Sequence, residues 1–172
     1  EIVNSRVAHI TEEYETRLQE LESRLRTRSE QIINAQEEIT RTNEVHSLWM
    51  RAGLEASHKS KIEVYDQILN INPNDLEAIT YKADVVLETG DSEWALNLSN
   101  KAVELDPDYG HAYWQRACAK AELGLEKEAL KDIQIALDKS PSLGTELANE
   151  SAFRKLRRVD EYIELVEQYK NT

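Results

Sequence analysis

At 172 residues, with 31% charged against 40% hydrophobic, the chain suits a thin object with much surface, a solenoid or a coiled coil, better than a compact globule. Its net charge of -12 argues against a nucleic-acid ligand, which needs Lys and Arg clustered on one face, and favours partners with basic or polar surfaces. The single cysteine, Cys118, excludes an internal disulfide and a cysteine metal cluster, and no apolar run approaches the roughly 20 residues of a membrane span.

Residues 1–45 contain no Gly, Pro or Lys, and their basic residues are Arg, a composition that sets them apart from the rest. Apolar residues recur at steps of three and four. With Leu18 at heptad position a, that row reads Thr11, Leu18, Leu25, Ile32 and Ile39; the d row reads Val7, Tyr14, Leu21, Arg28, Ala35 and Thr42. A stripe this long and narrow predicts a coiled-coil helix on the order of 65 Å long, with a dimer favoured. Val7, Tyr14, Leu18, Leu21, Leu25, Ile32 and Ile39 are its candidate oligomerisation residues. Arg28 interrupts the seam. Arg17 at g and Glu22 at the next e are the only attractive flanking pair found for a parallel dimer. The same stripe would also serve a helix that folds back on the rest of its own chain.

From residue 42 onward the punctuation is periodic. Pro73, Pro107 and Pro141 are spaced by 34 residues, as are Gly90 and Gly124, Gly110 and Gly144, Ala83 and Ala117, Ala95 and Ala129, and Ala102 and Ala136. That period is the signature of a helix-turn-helix solenoid. Three units are predicted. In 42–75 the small positions hold Trp49, Lys61 and Ile68, so this is a degenerate first unit, and nothing between Thr40 and Ala52 breaks a helix entering it. In 76–109, Asn74 or Asp75 caps the first helix, Gly90 ends it, and Asp91 or Ser92 caps the second, whose buried stripe is Trp94, Ala95, Leu98, Ala102 and Leu105. The unit 110–143 repeats the scheme with Ala117, Gly124, Ala129 and Ala136. Alanine at these places lets two antiparallel helices approach closely.

In 144–172 the period lapses. Leu147, Ala148, Ala152, Phe153 and Leu156 form one apolar stripe, and Val159, Tyr162, Ile163, Leu165 and Val166 another. They predict short helices that cover the open end with a polar outer face. The basic run 154–158 reads as a solvated face or as a contact for an acidic partner.

These residues resemble the tetratricopeptide repeat family. Its small-residue and proline positions fall on Ala83, Ala95, Ala102 and Pro107, and again on Ala117, Ala129, Ala136 and Pro141. The resemblance implies an all-α, short right-handed solenoid of three repeats over 46–172, with capping helices, following the coiled-coil helix of 1–45. It implies a concave groove lined by the first helix of each pair, where a protein or peptide binds. Asn43, His46, Ser47 and Met50 would face it from the first unit. Glu77, Thr80, Tyr81, Asp84 and Glu88 would do so from the second, and His111, Trp114, Gln115, Cys118 and Glu122 from the third. Trp114 and Tyr81 are the candidate aromatic anchors, with Trp114 packing on the cap as the alternative. Some family members clamp an acidic chaperone C-terminus with Lys and Asn. Met50, Tyr81, Asp84 and Gln115 stand in those places, so a basic or amide-rich peptide is expected instead.

No catalytic constellation is found. His9, His46, His58 and His111 lack metal-ligand spacing, Cys118 has no activating neighbour, no glycine-rich phosphate loop occurs, and no carboxylate stands in an apolar context. No cofactor or metal is expected. The leading expectation is a non-enzymatic interaction scaffold. A spacer whose coiled coil pairs with another protein and an acidic secretion-type chaperone are the alternatives. A cytoplasmic setting is expected; a start at Glu1 rather than Met suggests a piece of a longer protein, and an anchor before Glu1 would lie outside it.

Overall fold

The computed structural model describes residues 2–170, the side chain of Lys170 excepted, and every regular element among them is helical. By its internal contacts the chain divides into two units, Glu1–His46 and Ser47–Thr172.

Helix α1 (Ile2–Leu54) supplies the first unit and the opening of the second. With no Gly or Pro before Gly53, nothing in the sequence interrupts it. Every side chain of residues 2–44 is exposed, the predicted seam included. Local bonds support this stretch. The hydroxyls of Thr11, Thr16, Thr27 and Thr40 donate to the carbonyls of Val7, Glu12, Ser23 and Gln36 one turn earlier, and Arg26 pairs with Glu30 at 3.2 Å. An exposed pair of this kind is worth only about 0.3–0.5 kcal/mol.

The second unit continues with α2 (His58–Ile71), α3 (Leu76–Glu88), α4 (Ser92–Leu105), α5 (Gly110–Glu122) and α6 (Glu126–Lys139). Two 3-10 segments follow, Pro141–Thr145 and Ser151–Arg158, and then α7 (Asp160–Lys170). From α2 to α6 each helix packs on the next, and α3 also touches α5, so the first helices of successive pairs form an inner layer. The starts are where the sequence puts them. Asp75 accepts from the Ala78 amide at 2.9 Å and Asp91 from the Trp94 amide at 3.0 Å. Between the helices of these pairs, Gly90 and Gly124 turn the chain at φ of 91° and 80°, a left-handed conformation that glycine enters without penalty. Ala83, Ala95, Ala102, Ala117, Ala129 and Ala136 are all buried at the helix crossings.

The closing segment is built into the core rather than laid over it. Leu147, Ala152, Phe153, Leu156 and Tyr162 are buried in one cluster with Trp114, Cys118, Ile133 and Leu137. Trp114 meets Phe153 edge to face at 5.1 Å, Phe153 meets Tyr162 at 6.0 Å, and the Tyr162 hydroxyl donates to the Leu147 carbonyl. The expected short helices of this segment are largely 3-10 turns, with α7 alone an α-helix, and Ala148 and Ile163 are exposed.

Two members of the predicted α4 stripe are also misplaced. Trp94 and Leu105 are each 39% exposed. Trp94 sits in the first turn of α4, at its edge, where the Lys82 ammonium covers its ring at 4.9 Å from the centroid.

Charged staples tie neighbouring helices together, within a pair and between pairs. Lys82 reaches Asp66 at 2.5 Å. One period later Arg116 approaches Asn100 at 3.5 Å and grips Asp132 with two bonds of 2.7 and 2.8 Å, while Lys120 reaches the same carboxylate at 2.6 Å. Among the described residues no helix is long and apolar enough to cross a membrane.

Candidate functional site

The inner layer bounds a cavity of about 930 Å³. Asp84, Leu87 and Glu88 enter it from α3, Glu122 from α5 and His58 from α2. The far wall is the closing segment, through Glu146, Asn149, Glu150 and Arg154. Five carboxylates thus face one space. Two have a basic side chain beside them: Glu88 lies 3.0 Å from His58, and Glu122 lies 3.2 Å from Arg154 and 3.5 Å from Lys155. The Glu150 carboxylate accepts from the Ala152 amide at 3.0 Å and so fixes the turn that carries it.

Asp84 is the distinctive group. Burial, then the charges of Glu88 and Glu150, push its carboxyl up to about 6, with Gln115 and Lys61 pulling the other way. The buried Oε1 of Gln115 has no hydrogen-bond partner. Beside these groups stands an aromatic wall. Trp49 lies 5.8 Å from Tyr65 and 5.7 Å from Tyr81, and Tyr65 stacks on Tyr81 at 6.3 Å. The Tyr65 hydroxyl is pushed up by burial, then by Tyr81, Asp84 and Glu88. Ring faces next to carboxylates are suited to an ammonium or guanidinium group.

The raised carboxyl has a stability sign. A group whose folded value lies above its ordinary one helps the fold most at low pH and loses that advantage as pH rises through about 6. Ionised Asp84 is therefore a cost at neutral pH. Asp84→Asn is expected to stabilise the protein at pH 7.5 by on the order of 2 kcal/mol, and the gain should shrink towards zero near pH 4. Urea unfolding at both pH values measures this, and a variant less stable than the parent at pH 7.5 would refute it.

The predicted groove residues divide sharply. Met50, Tyr81, Glu88 and His111 are exposed, and Asp84, Gln115 and Glu122 are half-buried. Ser47 and Glu77 are exposed too, while Asn43 and His46 belong to the first unit. His111 stacks on Tyr109 at 5.5 Å and does not line the cavity. Thr80, Trp114 and Cys118 are corrections, because all three are buried. The Thr80 hydroxyl donates to the carbonyls of Leu76 and Glu77 at 2.9 and 3.0 Å. Trp114 and Cys118 lie under the closing segment, and burial pushes the Cys118 thiol well up. The expectation that no carboxylate stands in an apolar context is also corrected, by Asp84. Glu146, Asn149 and Glu150 are not among the residues the sequence singles out, since the period that places the others stops before them, and Arg154 enters there only through the basic run 154–158. The four-residue spacing of Glu146 and Glu150 around apolar Leu147 is the one local hint.

No family model matches the chain. Serine/threonine-protein phosphatase 5 of Rattus norvegicus is 27% identical over 85 residues, which is 49% of this chain and 17% of the phosphatase. Among solved structures, MamA protein superposes with a TM-score of 0.59 at 17% identity, covering 76% of this chain and 72% of that one. The first TPR of Spaghetti (RPAP3), bound to the HSP90 peptide SRMEEVD, superposes with a TM-score of 0.55 at 18% identity, covering 75% and 92%. Helix pairs at a fixed period, alanines at the crossings of α3 to α6 and these superpositions agree: in fold, the chain is a tetratricopeptide-repeat solenoid.

Proposed function

We propose that the chain is a protein-interaction adaptor that holds a basic, extended peptide segment in its groove and joins a second copy of itself through residues 1–45. The carrying observation is the acid-lined cavity, in which Asp84, Glu88, Glu122, Glu146 and Glu150 face His58 and Arg154. An acidic peptide such as the one bound to Spaghetti would meet like charge here, whereas Lys or Arg side chains would meet carboxylates and the exposed Tyr81 ring. Joining two copies would raise avidity for a partner that carries two such segments without any new contact.

Fluorescence anisotropy with a labelled Arg/Gly peptide, set against a labelled acidic peptide, tests the groove. The basic peptide should bind and the acidic one should not. Glu88→Gln with Glu146→Gln should weaken binding roughly tenfold, the effect of losing two charge contacts. Affinity should also fall between pH 7.5 and pH 5.5, as Asp84 takes up its proton near pH 6. Preference for the acidic peptide, or affinity indifferent to the double variant, would sink the reading. Sedimentation of the whole chain tests self-association, and a monomer at high micromolar concentration would remove it.

A further inference from the structure

We infer that residues 1–45 pair with a second copy in antiparallel orientation, with Arg17 of each chain against Glu38 of the other. The inference rests on the self-association proposed above and adds the orientation and register. Its starting point is a helix whose whole apolar stripe, from Val7 to Ile39, is exposed. A helix that long and polar gains little from propensity and from local pairs such as Arg26–Glu30. Packing against a partner is what such a seam provides.

Charge decides the orientation. In a parallel pair, a meets a and d meets d, so Arg28 would face Arg28 of the second copy inside the seam. Two like charges taken out of water together oppose pairing. The one attractive flanking pair there, Arg17 with Glu22, does not offset this.

In an antiparallel pair, each a residue lies beside a d residue, g faces g and e faces e. Two registers engage the seam equally; the one that sets Val7 beside Ile39 would oppose Arg24 to Arg24 and Glu22 to Glu22 across the two-fold axis, so charge selects the other, which sets Leu18 beside Ala35, Leu21 beside Ile32 and Tyr14 beside Ile39 of the second copy. Arg28 then lies beside Leu25 rather than opposite Arg28 of the second copy, which moves one layer away, and Glu22 of the second copy lies at the same spacing on the other side, within reach of its long side chain. On the flanks Arg17 meets Glu38 of the second copy, and symmetry repeats that pair. Arg24 meets Gln31, Glu15 meets Gln36 and Glu22 meets Ser29, so no like charges are opposed on the flanks.

The test uses the full chain with Cys118→Ala, spin-labelled at His9→Cys or Thr27→Cys; both native residues are exposed and off the seam. In the antiparallel register the His9 labels sit near opposite ends, about 50 Å apart, while the Thr27 labels sit level near the centre, within about 20 Å. A short distance at both sites would overturn the orientation and leave self-association standing. A monomer would remove both. A charge swap gives an independent readout by sedimentation. Arg17→Glu should weaken dimerisation roughly tenfold, and Arg17→Glu with Glu38→Arg should restore it. Failure of the double variant to recover overturns the register, because a parallel pair never brings these two positions together.

Discussion

Trp114→Ala is expected to lower the stability of the second unit by about 3–5 kcal/mol, the range for truncating a large buried aromatic residue. Trp114 is 3% exposed and its ring is edge-on to Phe153. Truncation would leave a cavity where α5 meets the closing segment, with Phe153 on its wall. Domains of this size are stable by about 5–15 kcal/mol, so the variant should be close to unfolding at 37 °C. Chemical unfolding followed by far-UV circular dichroism checks this. Trp94→Ala is the matched control: its ring is 39% exposed, and its loss should cost under about 1 kcal/mol. Equal effects from the two substitutions would mean that Trp114 is not the anchor of the closing segment. Any loss of peptide binding in Trp114→Ala should track unfolding rather than a missing contact.

Asp132→Ala is expected to be nearly as damaging, at about 3 kcal/mol. This carboxylate is 2% exposed and accepts from Arg116 twice and from Lys120 once. Removing it leaves two cations facing each other in a partly buried space, with Asn100 and the Tyr113 ring beside Arg116. The expected loss sits at the low end for a broken buried pair because both cations retain some contact with water. Replacing all three together, with Arg116→Met, Lys120→Met and Asp132→Leu, should recover most of the loss, since no orphaned charge remains. If the single variant unfolds within about 0.5 kcal/mol of the parent, the staple contributes nothing of consequence.

The two units were legible in the sequence to different degrees. The pairs α3/α4 and α5/α6 could be read nearly to the residue, because close crossing demands alanine and a left-handed turn demands glycine, and both recur at the period. Asp75 and Asp91 were legible as caps for an equally local reason. The groove was half legible. Tyr81, Asp84, Glu88 and Glu122 follow from which face of α3 and α5 turns inward. Trp114 and Cys118 occupy the same positions on α5, yet they are covered, and what covers them is an aperiodic segment whose path no repeat rule describes. The raised Asp84 carboxyl was illegible for a related reason. Part of it comes from Glu150, which is distant in sequence and brought near only by the 3-10 turns of that segment.

The neighbour-on-neighbour wiring of α2 to α6 has a consequence in time. Most contacts join elements adjacent in the chain, so little loop entropy is spent before a contact forms, and folding should be fast for this length. Nucleation should fall where packing is densest, at α5 and α6 with Phe153 closing over Trp114, and spread from there to α4, α3 and finally α2. Amide exchange should run in the reverse order, with α2 protected least. The His58 side of the cavity would thus be the last wall to form and the first to open.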